Sequence, residues 1–190
     1  MALEHLWAEW RGEYIQRATE TERADAGRGV RPEAGERCVF CRILADGGSD
    51  DEANIIWRGT SVFAILNAYP YTSGHLMVMP YRHVGALTDL DTAARPTGTV
   101  EASELWAAVT DATRAIEAAY APEGINVGIN LGRAAGAGVP GHLHVHLVPR
   151  WNGDTNFMTA TAATRVMPES LHTSGSRLRA AWPTPGQQHE

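Results

Sequence analysis

Apolar residues along the chain fall into two rhythms. Period-two or short continuous runs occur at 55–57, 62–66, 75–79, 125–131 and 142–148, each bounded by glycine, proline or polar residues. Runs of this length and edge composition predict five strands. A 3.6-residue rhythm runs from about Ala102 to Tyr120, where Leu105, Trp106, Val109, Ala112, Thr113 and Ile116 form one stripe. That stripe predicts a long helix, which Pro122 and Gly124 stop. The short connection 58–61 suits a hairpin. Hairpin-type connections in the first half predict an antiparallel sheet of about five strands with one long helix, an α+β fold.

The ends read differently. Leu3, Leu6, Trp7, Trp10 and Tyr14 recur at helical spacing over 3–18, and residues 19–37 carry almost no apolar period. The expected division is therefore an N-terminal helix and linker (1–36), a central domain (37–160) and a C-terminal extension (161–190). In the extension, Leu171, Leu178 and Trp182 suggest a helix that Gly175 weakens.

Composition narrows the function classes. The 190 residues are 44% hydrophobic and 20% charged, with a formal charge of −6. That balance argues against nucleic acid or an anionic membrane as partner, though not against a local pocket for a phosphorylated small molecule. No apolar run approaches the ~20 residues that cross a bilayer. Nor does the N-terminus have the form of a signal peptide, so a cytoplasmic location is expected. In a reducing compartment the pair Cys38 and Cys41 points to metal binding or redox activity before a structural disulfide.

The densest chemistry lies in Gly141-His142-Leu143-His144-Val145-His146-Leu147-Val148-Pro149-Arg150. On a strand, alternate residues share a face, so three imidazoles line one side and three aliphatic side chains the other. Pro149 is expected to end that strand. Three readings fit: separately hydrogen-bonded histidines, a catalytic three-histidine zinc site, or an imidazole nucleophile with imidazole neighbours as donors to a phosphoryl group. The middle residue, His144, is the natural nucleophile.

Residues 142–148 match His-φ-His-φ-His-φ-φ, with φ apolar, at every position. This resembles the signature of the histidine triad (HIT) family. The resemblance extends through Cys38-Val39-Phe40-Cys41, Val62–Asn67 and Gly74–Pro80, and covers roughly residues 37–160. It implies a dimer of α+β protomers that acts on an adenosine nucleotide or dinucleoside polyphosphate. His144 would carry a transient nucleotidyl group, His146 would donate to the phosphate or leaving oxygen, and His75 would support the triad. It also implies ribose binding by Asn67 and phosphate or leaving-group contact by Asn130. Several bacterial members hold structural zinc through residues that correspond to Cys38, Cys41, His83 and His142.

One segment departs from the family pattern. Hydrolytic members place a hydroxyl before the triad, whereas this chain has Ala135-Gly136-Ala137-Gly138-Val139-Pro140-Gly141. Backbone N–H groups around Gly138 are then the expected phosphate cradle. Tyr69-Pro70-Tyr71 and Pro149–Met158 resemble a bacterial branch that includes diadenosine tetraphosphate phosphorylases, with Arg150 a candidate ligand of inorganic phosphate. The alternatives are a nucleoside phosphoramidate or dinucleoside polyphosphate hydrolase, which uses water, and a nucleotide-binding scaffold with little turnover.

Overall fold

A computed structural model describes residues 38–90, 98–154 and 169–184. The expected N-terminal helix 3–18, the linker 19–37, residues 91–97 of the polar loop and Thr155 to Met158 lie outside them. The helices are α1 (Val39–Ala45), α2 (Gly98–Tyr120) and α3 (Leu171–Ala181). The strands are β1 (Ile55–Arg58), β2 (Val62–Leu66), β3 (Leu76–Pro80), β4 (Gly124–Ile129) and β5 (Val145–Arg150). They form one sheet in the order β1-β2-β3-β5-β4. Every neighbouring pair is antiparallel, so the fold is the expected α+β architecture. Among the described residues no helix is long and apolar enough to cross a membrane.

Strands β2 and β3 are buried at every position, which is why they read as unbroken apolar runs. On one sheet face Val62, Ala64, Leu66, Leu76, Val78, Val145 and Leu147 pack beneath Leu105, Val109, Ala112 and Ile116 of α2. Leu178 of α3 joins the same core. The other face gathers Ile55, Phe63, Ile65, Met77 and Met79 with Cys38 and Phe40 at the start of α1. Met77 pairs with His146 across β3 and β5, so this second face runs on into the histidines.

The structure corrects three expectations. First, β5 spans Val145–Arg150, not 142–148, and contains Pro149. Its partner β3 reaches only Val145 to Leu147. At Pro149 the strand therefore has β4 alone beside it, and a missing N–H on the open side costs no ladder bond. Second, α2 begins at Gly98 rather than Ala102. Glu101, buried in its first turn, is ion-paired with Arg82 and favourably placed at the positive end of the helix. Third, Trp106 is 49% exposed, because it lies about 100° round the helix from Leu105.

Helix α3 forms despite Gly175. Its N-cap Ser170 accepts from the Thr173 N–H at 3.2 Å. A side chain at Gly175 would press on the Arg179 guanidinium, which instead reaches the Ile55 carbonyl at 3.0 Å. Trp182, just past the helix, stacks on Trp57 with ring centres 5.3 Å apart.

Candidate active site

The turn from β2 to β3 supports the open end of the site. Gly74 has φ +77°, and a Cβ there would stand 2.6 Å from the Tyr120 ring. Only glycine passes that point, and it delivers His75 fully buried at the foot of β3. The Tyr71 backbone N–H donates to His75 Nδ1 at 3.1 Å, and Asn67 Nδ2 approaches the same nitrogen at 3.4 Å. The Asn67 amide orientation follows from its Oδ1, which accepts the Tyr69 N–H at 2.9 Å.

These contacts fix protons. A backbone N–H can only donate, so His75 Nδ1 is an acceptor and neutral His75 carries its proton on Nε2. That proton faces His146 Nδ1 at 3.0 Å. His146 must then hold its own proton on Nε2, where it is a donor. His144 is set the opposite way. Its Nδ1 lies 2.7 Å from the His142 carbonyl, which can only accept, so Nδ1 is protonated and Nε2 keeps its lone pair. The two rings sit side by side, centres 4.8 Å apart and nearly perpendicular. A lone-pair nitrogen therefore stands beside a donor N–H.

Burial keeps both rings neutral. It holds His144 below the ordinary imidazole range, although the bond to the His142 carbonyl partly opposes it. Burial, with the neighbouring His144, holds His146 down to about 4. Tyr71 covers the open end, its ring 4.5 Å from His75 and roughly parallel to His146 at 6.3 Å. Phe40 closes the other side, 5.5 Å from the His144 ring.

The closed end is a cluster of thiols and imidazoles. His142 donates Nε2–H to the Pro80 carbonyl at 2.9 Å, which leaves Nδ1 bare toward Cys38 Sγ at 3.3 Å and Cys41 Sγ at 3.6 Å. His83 Nδ1 is 3.5 Å from Cys41 Sγ. One candidate ligand atom from each of these residues falls within 4.8 Å of the others. Two ligands on one tetrahedral ion, with metal–sulfur about 2.3 Å and metal–nitrogen about 2.05 Å, stand about 3.5 Å apart. The sulfur–nitrogen distances match that edge. Burial pushes the Cys41 thiol up to about 11, with the adjacent Cys38 adding to the shift, and burial holds His142 down to about 4. A cation reverses the first effect and is served by the second, since it binds thiolate and neutral imidazole.

A model of the HIT domain family matches residues 49–153. The AP-4-A phosphorylase of Mycobacterium tuberculosis is 39% identical over 180 residues, covering 95% of this chain and 85% of that protein. The chain belongs to the HIT family. An asymmetrical bis(5'-nucleosyl)-tetraphosphatase of Schizosaccharomyces pombe is 32% identical over 102 residues, 54% of this chain and 52% of that protein. Among solved structures, a zinc-bound histidine triad family protein from Mycobacterium smegmatis has a TM-score of 0.58 at 32% identity. That match covers 77% of this chain and 94% of the other.

The residues singled out from sequence separate in space. His75, His144 and His146 stand together with Asn67, and Cys38, Cys41, His83 and His142 meet at the closed end. His142 and His144 precede β5 rather than lying in it. The segment is held instead by Leu143 N–H to the Val84 carbonyl at 2.6 Å and His142 N–H to the Val139 carbonyl at 3.2 Å. Asn130 follows the end of β4 and is half-buried. Gly138 lies in the approach loop, one residue before Val139 packs on the second core. Arg150 is four residues from His146, about 13 Å along a strand. Its guanidinium grips both Asp154 oxygens, at 2.6 and 2.8 Å, and reaches Asn126 Oδ1 at 2.9 Å. Sequence reasoning missed the Tyr71 N–H and the His142 and Pro80 carbonyls, because backbone groups leave no residue-type signal. It also gave Phe40 no role, although an aromatic between two cysteines was a visible cue.

Proposed function

We propose that this chain splits dinucleoside polyphosphates, diadenosine tetraphosphate first among them, with inorganic phosphate as acceptor and a nucleotidyl group held on His144. The observation that carries the reading is the pair of opposed tautomers, a bare Nε2 on His144 beside an N–H on His146. The His144 lone pair attacks the α-phosphorus, a P–N bond forms, and the bond to the bridging oxygen breaks. His146 Nε2–H donates to that leaving oxygen or to the charge on the phosphoryl oxygens. ATP leaves and AMP stays on His144. Phosphate then attacks the same phosphorus, which frees His144 and yields ADP.

The identity to the mycobacterial AP-4-A phosphorylase supports phosphate as the acceptor. In this reading Asn67 contacts the ribose hydroxyls and Asn130 the phosphate chain. The N–H groups around Gly138 form the phosphate cradle. Arg150, bidentate on Asp154, steadies the far end of β5 from that loop. Water as acceptor, as the fission-yeast relative's name suggests, would give AMP plus ATP. Chromatography of products with and without millimolar phosphate decides between them. ATP plus ADP, formed only with phosphate, is the expected result. AMP formed at a rate indifferent to phosphate overturns it, and no turnover at all leaves the scaffold reading.

The four-residue cluster holds zinc in this reading, and the closed ligand set makes it structural. Two thiols and two imidazoles are its ordinary donors, and the Mycobacterium smegmatis relative is zinc-bound. A cytoplasmic location, which keeps both cysteines reduced, fits the same assignment. Two copies pair through β4, an edge strand whose flank shows Val127 and Leu131 each 45% exposed. A sedimentation mass of one chain would reject the dimer.

A further inference from the structure

We propose that His142 is a positioning residue for His144, so that the Cys38, Cys41, His83 and His142 cluster sets the alignment of the nucleophile as well as closing one end of the site. This rests on the reading of His144 as the nucleophile.

Every polar atom of His142 is committed. Its ring is held between the Pro80 carbonyl and the two sulfurs. Its N–H goes to Val139 at 3.2 Å. Its carbonyl accepts the Nδ1–H of His144 at 2.7 Å. Only Cβ, Cα and the carbonyl carbon separate the held ring from the oxygen that fixes the His144 tautomer. Displacing the ring at the cluster therefore turns that oxygen. A second route runs through Phe40, which the two cysteines flank in sequence. Phe40 is buried and touches both imidazoles, 5.3 Å from His142 and 5.5 Å from His144. Moving the cysteines moves this ring as well.

Catalytic groups need placement within about 0.5 Å and 10–20°. Hydrogen bonds also weaken steeply as they bend. A few tenths of an ångström at the cluster is then enough to be felt at His144 Nε2, with no chemical step passing through the metal.

The test compares the full chain loaded with zinc and with cadmium, a larger ion of equal charge that binds the same donors. Ring-nitrogen NMR on histidine-labelled protein follows the His144 Nδ1–H resonance, identified by its loss in His144→Gln. The expected result is a shifted or exchange-broadened resonance in the cadmium form. kcat should fall at least fivefold with KM within threefold and a similar melting temperature. Cys41→His keeps four ligand positions and should behave like cadmium while retaining one metal per chain. An unmoved resonance with unchanged kcat in both samples overturns the proposal. So does a fall in kcat matched by a rise in KM with the resonance unmoved, or failure to retain either ion. The nucleophile reading is checked separately, by trapping an acid-labile nucleotide on the zinc form. Loss of that adduct would reject His144 as nucleophile while the resonance still reports the alignment.

Discussion

The two ends of the histidine row use the same side chain in opposite ways. At the closed end His142 donates through Nε2 and turns a bare Nδ1 toward two sulfurs. At the open end His146 accepts a hydrogen bond at Nδ1 from the His75 Nε2–H and keeps its own proton on Nε2. His144, between them, donates through Nδ1 and keeps Nε2 bare. Burial makes all three imidazoles of the triad neutral, so burial does not distinguish them. What distinguishes them is which nitrogen the partner takes: a carbonyl at Nε2 of His142, a carbonyl at Nδ1 of His144, and an imidazole N–H at Nδ1 of His146. In the proposed function, three histidines of one motif thus become ligand, nucleophile and donor through their neighbours.

The largest break in that division is His144→Ala. With no nitrogen to attack, kcat for diadenosine tetraphosphate should fall at least about a thousandfold, ~4 kcal/mol of transition-state stabilisation. Nucleotide affinity should stay within about tenfold, or ~1.4 kcal/mol. Steady-state kinetics with equilibrium dialysis of AMP separates the two. A mutant that turns over normally would move the nucleophile elsewhere.

Acid tests the burial that the ends share. His146 sits at about 4 in the fold, against an ordinary 6.5 in the unfolded chain. Between those values the unfolded chain binds a proton that the native state refuses. This group therefore costs nothing above pH 6.5, and stability drains away as pH falls from 6.5 toward 4. The total is roughly 3 kcal/mol. Other groups also titrate there, so the measurement is a difference. Urea midpoints at pH 7 and pH 4.5 should converge more in His146→Gln than in wild type, and equal losses in both would show that His146 is not held neutral.

The sheet was legible because its evidence is in side-chain type. Apolar runs placed all five strands to within a few residues, and the single stripe from Leu105 to Ile116 placed α2. The row of histidines was equally plain, as were the two cysteines. Trp106 was misread because an aromatic beside a stripe looks like part of it until the 100° step is counted. The reach of β5 through Pro149 was hidden for another reason: tolerance of proline depends on which neighbour the strand lacks there, a fact of topology. The tautomers lay furthest from view. They rest on the Tyr71 N–H and on the His142 and Pro80 carbonyls, groups that every residue owns and only the fold aims.

The open end can be loosened without touching His144, the proposed nucleophile. His75→Ala removes the imidazole that orients His146 and fixes its tautomer. Misorienting a general acid forfeits part of the 10²–10⁴-fold such a group contributes, so a loss of roughly 10–100-fold is expected. The expected signature is a lower kcat with KM within threefold, because ground-state contacts to the nucleotide remain. A KM effect of that size with kcat intact would instead make His75 a binding residue.

The smallest effect is the most discriminating. Asn67→Asp looks conservative, since the two side chains have nearly the same size and shape. In this site it is not. His75 Nδ1 already accepts the Tyr71 N–H, and Asn67 offers a second donor to the same nitrogen. A carboxylate there would face the lone pair of that nitrogen, or pull a proton onto it against the Tyr71 N–H. Either response disturbs the His75 to His146 bond. Asn67→Ala only deletes a long contact at 3.4 Å and leaves the Tyr71 donor in place. The charged variant should therefore lower kcat more than the truncated one, by two- to tenfold, about 0.5–1.5 kcal/mol for one mismatched hydrogen bond. Asn67→Ala should stay within threefold in kcat, and any loss of ribose contact should appear in its KM. If aspartate instead matched or exceeded the wild-type kcat, His75 would have to hold its proton on Nδ1. The donor assigned to His146 Nε2 would then be reversed.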